Sequence, residues 1–234
     1  MRGRCHQCHA WIGVRYPLVE IGTGILWTVC WIWFEPPQSI SFHPLGFQML
    51  VTLFITHAVA CAVLCWLLLA LALLDADFFW LPDWFTLPGI GIGFLASILE
   101  EFLIWPNLPN LWQTIWMRTL AILAAAGLIL IIRLAYWLVR RVEGMGLGDA
   151  KLMAMLAAWL GLRGALECFA IAIFAAAAAA FVWLGILAIR RDTGDWGKLP
   201  LPLGTFLCAA AVTEIFYPHW LTAPMHLELL GLGR

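Results

Sequence analysis

The sequence predicts an all-α protein, a polytopic bundle of about six to seven transmembrane helices. Hydrophobic residues make up 64% of the 234 positions and charged residues only 12%, whereas soluble domains average about 45–50% and 25%. Residues 48–74 contain no charged side chain, and neither do residues 168–189. Both runs are longer than the roughly 20 residues that a helix needs to cross the hydrocarbon core of a bilayer.

Hydropathy predicts seven apolar segments, which are residues 17–34, 48–74, 84–104, 116–139, 150–163, 166–189 and 199–217. The third contains Pro88 and three glycines, and the fifth is short, so we expect both to be kinked or tucked against neighbouring helices. No polar or Gly/Ser-rich linker separates the segments. The predicted organisation is a short cytoplasmic segment, residues 1–16, followed by one transmembrane domain, residues 17–234.

Basic residues predict how these segments are oriented in the bilayer. With the N-terminus in the cytoplasm, nine bases fall on the inner side and three on the outer side, which is the bias that the positive-inside rule describes. The inner bases are Arg2, Arg4, Arg15, Arg140, Arg141, Lys151, Arg190, Arg191 and Lys198, and the outer ones are Arg118, Arg163 and Arg234. The first segment lacks a small-residue cleavage site, so we expect it to be retained as an anchor. The net charge of −1, without a basic stripe, argues against a nucleic-acid partner.

Two aspartates stand at the ends of apolar segments that this topology places on the cytoplasmic face. Asp75 ends the uncharged run 48–74, and Asp149 follows glycines at positions 144, 146 and 148. Ionisable groups at a membrane are costly and mark functional sites by default. Two carboxyl groups at close range share one proton, so one can take a proton from water while the other donates a hydrogen bond to an amide carbonyl. The alternative is that both aspartates cap helix N-termini.

Three blocks of sequence resemble the type IV prepilin peptidases, aspartic proteases of the G-x-G-D type in bacterial inner membranes. The blocks are L-D-A-D-F-F-W-L-P-D-W-F-T-L-P at residues 74–88, A-Y-W-L-V-R-R-V-E-G-M-G-L-G-D-A-K-L-M-A-M-L-A-A-W-L-G at residues 135–161, and R-Y-P-L-V-E at residues 15–20 after C-H-Q-C at residues 5–8. The resemblance implies an endopeptidase that removes the cytoplasmic leader from type IV prepilins or type II secretion pseudopilins. It implies no cofactor for proteolysis.

The resemblance also implies roles for individual residues. By motif position the catalytic pair of the family falls on Asp75 and Asp149, which leaves Asp77 and Asp83 as solvated or structural carboxylates. A supporting role is implied for the residues that match the motif around Asp149, which are Gly146, Gly148, Glu143 and Lys151. For the last two of these, an interfacial ion pair or a snorkelling lysine is the alternative.

The two ends of the chain depart from the family's pattern. Many members carry an earlier hydrophobic segment and two C-x-x-C pairs, a region associated with methylation of the new N-terminus, whereas this chain begins just before what resembles the second pair. We therefore expect S-adenosylmethionine as a cofactor only if methyltransferase activity is present. Cys5 and Cys8 alone cannot complete a four-cysteine zinc site, so zinc would need His6 and His9 or a second protomer. Residues 199–207 resemble a Pro-Phe-Gly-Pro-containing stretch but lack its Phe and second Pro.

Two other function classes stay open. An ion-coupled transporter would use Asp75 and Asp149 as ion ligands, although the acids cluster at segment ends and no inverted repeat is evident. A non-catalytic membrane scaffold would keep the fold without the reaction. We predict that His57, Cys61 and Cys65 are packing residues, because all three lie within one apolar run.

Overall fold

The computed structural model describes Cys8 and residues 13–33, 47–104, 111–141, 146–190 and 202–217. Within these residues every regular element is an α-helix, so the predicted all-α fold class is confirmed. The helices are α1 (Arg15–Trp33), α2 (Phe47–Phe78), α3 (Asp83–Ile104), α4 (Leu111–Arg140), α5 (Leu147–Arg190) and α6 (Leu203–Phe216).

Among the described residues, four helices are long and apolar enough to cross a membrane. The qualifying stretches are Phe54–Phe78, Asp83–Phe102, Leu111–Arg140 and Leu147–Ile186, in α2, α3, α4 and α5. Among the described residues α1 does not qualify, although hydropathy predicts an apolar segment over residues 17–34, and α6 is apolar but short. Length and composition therefore support a membrane protein.

The chain divides into two compact units, Met1–Trp66 and Leu67–Arg234. In the first unit, α1 packs against the first part of α2 through small and aromatic side chains. The Sγ atoms of Cys30 and Cys65 lie 3.7 Å apart, and the rings of Trp31 and Phe54 meet edge to face with centroids 5.4 Å apart. Cys61 is buried. Cys61 and Cys65 are thus buried packing residues, as predicted.

In the second unit, the first half of α5 forms the core. Seven consecutive residues, 152–158, are buried, and α5 packs against α3, α4 and α6. A helix that is apolar on all sides lies in a protein core or in a membrane, and the packing of this half of α5 against three helices places it in a core. The short fifth segment predicted from sequence is therefore the central helix of this unit, and its first turn carries Asp149.

The number of helical segments depends on how Gly161 is treated. The predicted fifth and sixth segments form a single helix, α5, which is broken at Gly161 by a backbone conformation of φ 77°, ψ 174°. This region of backbone space is open essentially only to glycine. The break lies earlier than the predicted gap at residues 164–165. Counting its two sides separately gives seven helical segments in the part of the chain that the structure describes.

Two of the three glycines of α3, Gly89 and Gly93, allow close packing against α5. The helix continues through Pro88. A Cβ atom on Gly89 would overlap the side chain of Met155, and one on Gly93 would overlap the ring of Trp159. The indole Nε1 of Trp159 donates a hydrogen bond of 2.9 Å to the carbonyl oxygen of Gly89. The expectation that this segment is tucked against a neighbour is confirmed.

Candidate active site

Asp75 lies in the last turn of α2 and is only 5% exposed. Its Oδ2 accepts a hydrogen bond of 2.7 Å from the backbone N–H of Thr205, in the first turn of α6. The hydroxyl of Thr205 lies 3.2 Å from the same Oδ2 and 3.2 Å from the carbonyl oxygen of Ala72. A carboxylate at a helix N-terminus is stabilised by free backbone N–H groups and by the helix dipole.

Asp149 lies in the first turn of α5 and is 9% exposed. The two glycines before it have different surroundings. A Cβ atom on Gly148 would lie 3.0 Å from the Cβ of Leu81, so this glycine lets the connection between α2 and α3 lie directly against the start of α5. A Cβ on Gly146 would make only an ordinary contact, 3.6 Å from Oδ2 of Asp149.

Both aspartates line one open cleft with a volume of about 600 Å³. They are 74 positions apart in sequence, yet the fold brings both of them to the same cleft. The other lining residues are Phe79, Trp80, Leu81, Asp83, Trp84, Gly146, Leu147, Gly148, Lys151, Pro202 and Leu203. They come from the end of α2, the connection after it and the first turns of α3, α5 and α6. Three helix N-termini therefore meet at the cleft, where their dipoles favour negative charge.

The structure separates the acidic residues near this cleft into two groups. Asp75 and Asp149 are buried, whereas Asp77 and Asp83 are exposed. Asp83 also lines the cleft, where its carboxylate forms an ion pair with Lys151 Nζ. The interfacial ion pair that sequence offers as the alternative role of Lys151 is thus present.

The connection between α2 and α3 forms one wall of the cleft. Phe79 has a φ of 51°, a left-handed backbone conformation that is uncommon for a bulky side chain. Leu81 is buried against Gly148, while Phe79, Trp80 and Trp84 are exposed. Aromatic side chains of this kind are typical of membrane–water interfaces.

Several predicted residues are not placed beside the pair. Glu143 and Cys5 lie outside the described residues, and Cys8 is exposed. Within the part of the chain that the structure describes, no group of three or more Cys, His, Asp or Glu side chains could hold a metal ion. Zinc binding by Cys5 and Cys8 stays a prediction.

Thr205 and Gly204 are the site residues that sequence reasoning missed. Both lie in the segment 199–207, whose departure from the family's pattern left it without an assigned role. Their position in the sequence could have indicated them. Gly204 and Thr205 follow Pro202 at the start of an apolar run, and the N-terminus of a helix can bind a carboxylate.

Comparisons with known proteins find matches over almost the whole chain. Residues 62–182, which contain both aspartates, match the type IV leader peptidase family, and residues 1–34 match the bacterial Peptidase A24 N-terminal domain. No solved structure matches the chain.

Curated relatives carry the name prepilin leader peptidase/N-methyltransferase. The one from Burkholderia pseudomallei is 33% identical over 235 residues, which cover 99% of this chain and 62% of the relative. Those from Pseudomonas putida and Pseudomonas aeruginosa are each 30% identical, over 99% and 98% of this chain and 68% and 67% of their own lengths. The chain thus spans about three fifths to two thirds of the length of these relatives.

Proposed function

Because the chain belongs to the type IV leader peptidase family, we propose that it is a membrane-embedded aspartic endopeptidase. Its substrates are type IV prepilins or type II secretion pseudopilins, from which it removes the cytoplasmic leader peptide. The observation that carries this proposal is the pairing of Asp75 and Asp149, two buried carboxylates from different helices that line one open cleft.

The pair supports hydrolysis of an amide without a metal ion. One carboxylate takes a proton from a water molecule as the water oxygen attacks the scissile carbonyl carbon. The other, protonated, donates a hydrogen bond to the carbonyl oxygen, where negative charge develops. The carbon–nitrogen bond then breaks and a proton passes to the leaving amine, which gives a new carboxyl group on the leader and a new N-terminus on the substrate.

The location we propose is the bacterial inner membrane, with the N-terminus and the cleft on the cytoplasmic side. Nine basic residues against three support this orientation. The exposed Trp80 and Trp84 at the cleft support a position at the membrane surface. A substrate helix can then stay in the bilayer while its leader enters the cleft from the cytoplasm.

N-methylation of the new N-terminus is a separate activity in the relatives' name. The cleft offers groups for hydrolysis, and we assign none of them to S-adenosylmethionine. We propose peptidase activity for this chain and keep methylation as an open outcome of the experiment below.

The test is co-expression with a prepilin whose leader a curated relative is known to remove. Wild type, Asp75→Asn and Asp149→Asn are compared by mass spectrometry of the substrate, with Asp77→Asn as the matched control because Asp77 is exposed and does not line the cleft. We expect leader removal by wild type and the control, and none by the other two. An added methyl group on the product would report the second activity.

The outcomes separate the function classes. Cleavage that survives in either Asp75→Asn or Asp149→Asn, with the protein inserted normally, excludes the aspartate pair as the machinery. A wild type that inserts but does not cleave a substrate processed by the relative favours a scaffold or an ion-coupled transporter.

A further inference from the structure

Helix α6 begins without a capping side chain of its own. Its N-cap residue is Pro202, which makes no side-chain cap bond. In most helices an oxygen of the N-cap side chain accepts a hydrogen bond from the backbone N–H two or three residues later. Here Asp75, 130 positions away along the chain, accepts the bond from Thr205, the third residue of α6. Asp75 therefore caps a helix other than its own.

Gly204 makes this approach possible. A Cβ atom at this position would lie 2.8 Å from Oδ2 of Asp75 and 3.2 Å from its Oδ1. Any larger residue at this position would push the carboxylate away or tilt α6. Glycine thus lets the first turn of α6 approach the carboxylate edge closely.

We infer that Thr205 is a positioning residue for Asp75 and reserves its Oδ2 as a hydrogen-bond acceptor. A backbone N–H can only donate, so Oδ2 must offer a lone pair to Thr205 and cannot carry a proton directed at it. Because the bond commits one lone pair of Oδ2, a proton on Asp75 is favoured on Oδ1 rather than on Oδ2. This inference rests on the proposed function, because positioning matters only if the two carboxylates do chemistry.

The Thr205 hydroxyl adds a second contact that can be removed without disturbing the first. It lies 3.2 Å from Oδ2 of Asp75 and 3.2 Å from the carbonyl oxygen of Ala72, and it can donate its one proton to either. Valine keeps the shape of threonine and the backbone N–H but lacks the hydroxyl. Serine keeps the hydroxyl and lacks the methyl group.

The test measures leader removal by purified Thr205→Val, Thr205→Ser and wild type at several substrate concentrations. Thr213→Val is the matched control, because the Thr213 hydroxyl donates to the carbonyl oxygen of Ala210 on the same helix and does not reach the cleft. For Thr205→Val we expect kcat to fall roughly tenfold, with KM within about twofold of wild type. For Thr205→Ser we expect kcat within about threefold of wild type. The control should match wild type.

A kcat of Thr205→Val equal to that of wild type would overturn the inference. So would an equal loss in Thr205→Ser, because it would trace the effect to the methyl group and to packing. A second measurement does not depend on proteolysis. The free energy of unfolding in mixed micelles is measured as a double-mutant cycle for Asp75→Ala, Thr205→Ala and the double variant. We expect the loss of stability in the double variant to differ from the sum of the two single losses.

Failure of this inference can be distinguished from failure of the proposed function. If wild type does not cleave, the proposed function fails whatever the cycle gives. If wild type cleaves and the cycle is additive, the contact between the Thr205 hydroxyl and Asp75 is refuted and the proposed function stands.

Discussion

Two regions of the second unit each hold a pair of buried acidic residues, and they differ in what surrounds the acids. At the cleft, Asp75 and Asp149 come from α2 and α5 and line an open space of about 600 Å³. At the other region, near the break in α5, Glu167 and Glu214 come from α5 and α6 and are 7% and 2% exposed. Neither glutamate lines the cleft.

One of the two glutamates has a basic partner, whereas the two aspartates line one open cleft together. Glu167 accepts a hydrogen bond of 3.1 Å from Nε of Arg163, one turn before it, and Arg118 of α4 lies close to Gly161 at the break. A buried acid with a basic partner is ordinary ion pairing. Two buried acids that line one open cleft are costly and are typical of a functional site. Burial alone therefore does not identify the site.

The largest expected difference between the two regions is in the rate of leader removal after one acid in each region is neutralised. Asp149→Asn should lower the rate of leader removal roughly 10²- to 10⁴-fold, because general acid–base catalysis by one group is worth that much. Glu167→Gln should leave the rate unchanged and lower the free energy of unfolding by about 1 kcal/mol, since the partly exposed Arg163 partner is screened by solvent. Rates are measured with a prepilin substrate and stability by SDS titration in mixed micelles.

If Glu167→Gln abolished cleavage in a protein of normal stability, the glutamates would take part in catalysis and the contrast between the two regions would disappear.

Asp75→Asn and Asp75→Ala test the same contrast. Both should be inactive, but only alanine should also destabilise α6, by about 1 kcal/mol, because asparagine is a good helix cap and alanine is not.

The next largest effect is expected when a glycine in each region is replaced by alanine. Gly204→Ala should lower kcat roughly a hundredfold, since its Cβ would displace the Asp75 carboxylate and small displacements of reacting groups are costly. Gly161→Ala should lower stability by about 1–3 kcal/mol, because its backbone conformation of φ 77°, ψ 174° strains any other residue. Its kcat, measured on the folded fraction, should equal that of wild type. The reverse pattern would contradict the placement of the active site.

The two glycines before Asp149 should differ as well, although the motif treats them alike. Gly148→Ala should lower kcat about tenfold, because the new Cβ would push Leu81 and move the wall of the cleft. Gly146→Ala should cleave at close to the wild-type rate, because its Cβ meets nothing closer than 3.6 Å. Equal losses in both variants would mean that these glycines act through backbone freedom rather than through close packing.

Most of the fold could be predicted from the sequence because apolar runs of membrane length have few alternatives to helix. The break in α5 was predicted only approximately, since hydropathy responds to the charge of Arg163 while the backbone turns at Gly161. The glycines of α3 were harder to interpret. Whether Gly89 relieves a kink or admits Met155 depends on a helix about 60 residues further along the chain, which no local pattern shows.

Of the candidate site, too, only a part could be predicted from the sequence. Asp75 and Asp149 stand out because each is an acid at the end of an apolar run with a recognisable block around it. Thr205 does not stand out, because its closest contact with Asp75 is made by a backbone N–H that almost every residue carries. Only the three-dimensional arrangement shows which N–H reaches the carboxylate.

The smallest expected effect concerns the ion pair between Lys151 and Asp83, which lies at the cleft but is largely exposed. Exposed ion pairs contribute about 0–1 kcal/mol and weaken as salt is added. Lys151→Met should therefore change cleavage by about threefold or less, and the loss should shrink at high salt. The exchanged pair Lys151→Asp with Asp83→Lys should recover most of what either single reversal loses. A hundredfold loss in Lys151→Met that the exchange fails to restore would instead place the Lys151 charge in the reaction beside Asp149. The contrast between the cleft and the glutamate region would then be weaker.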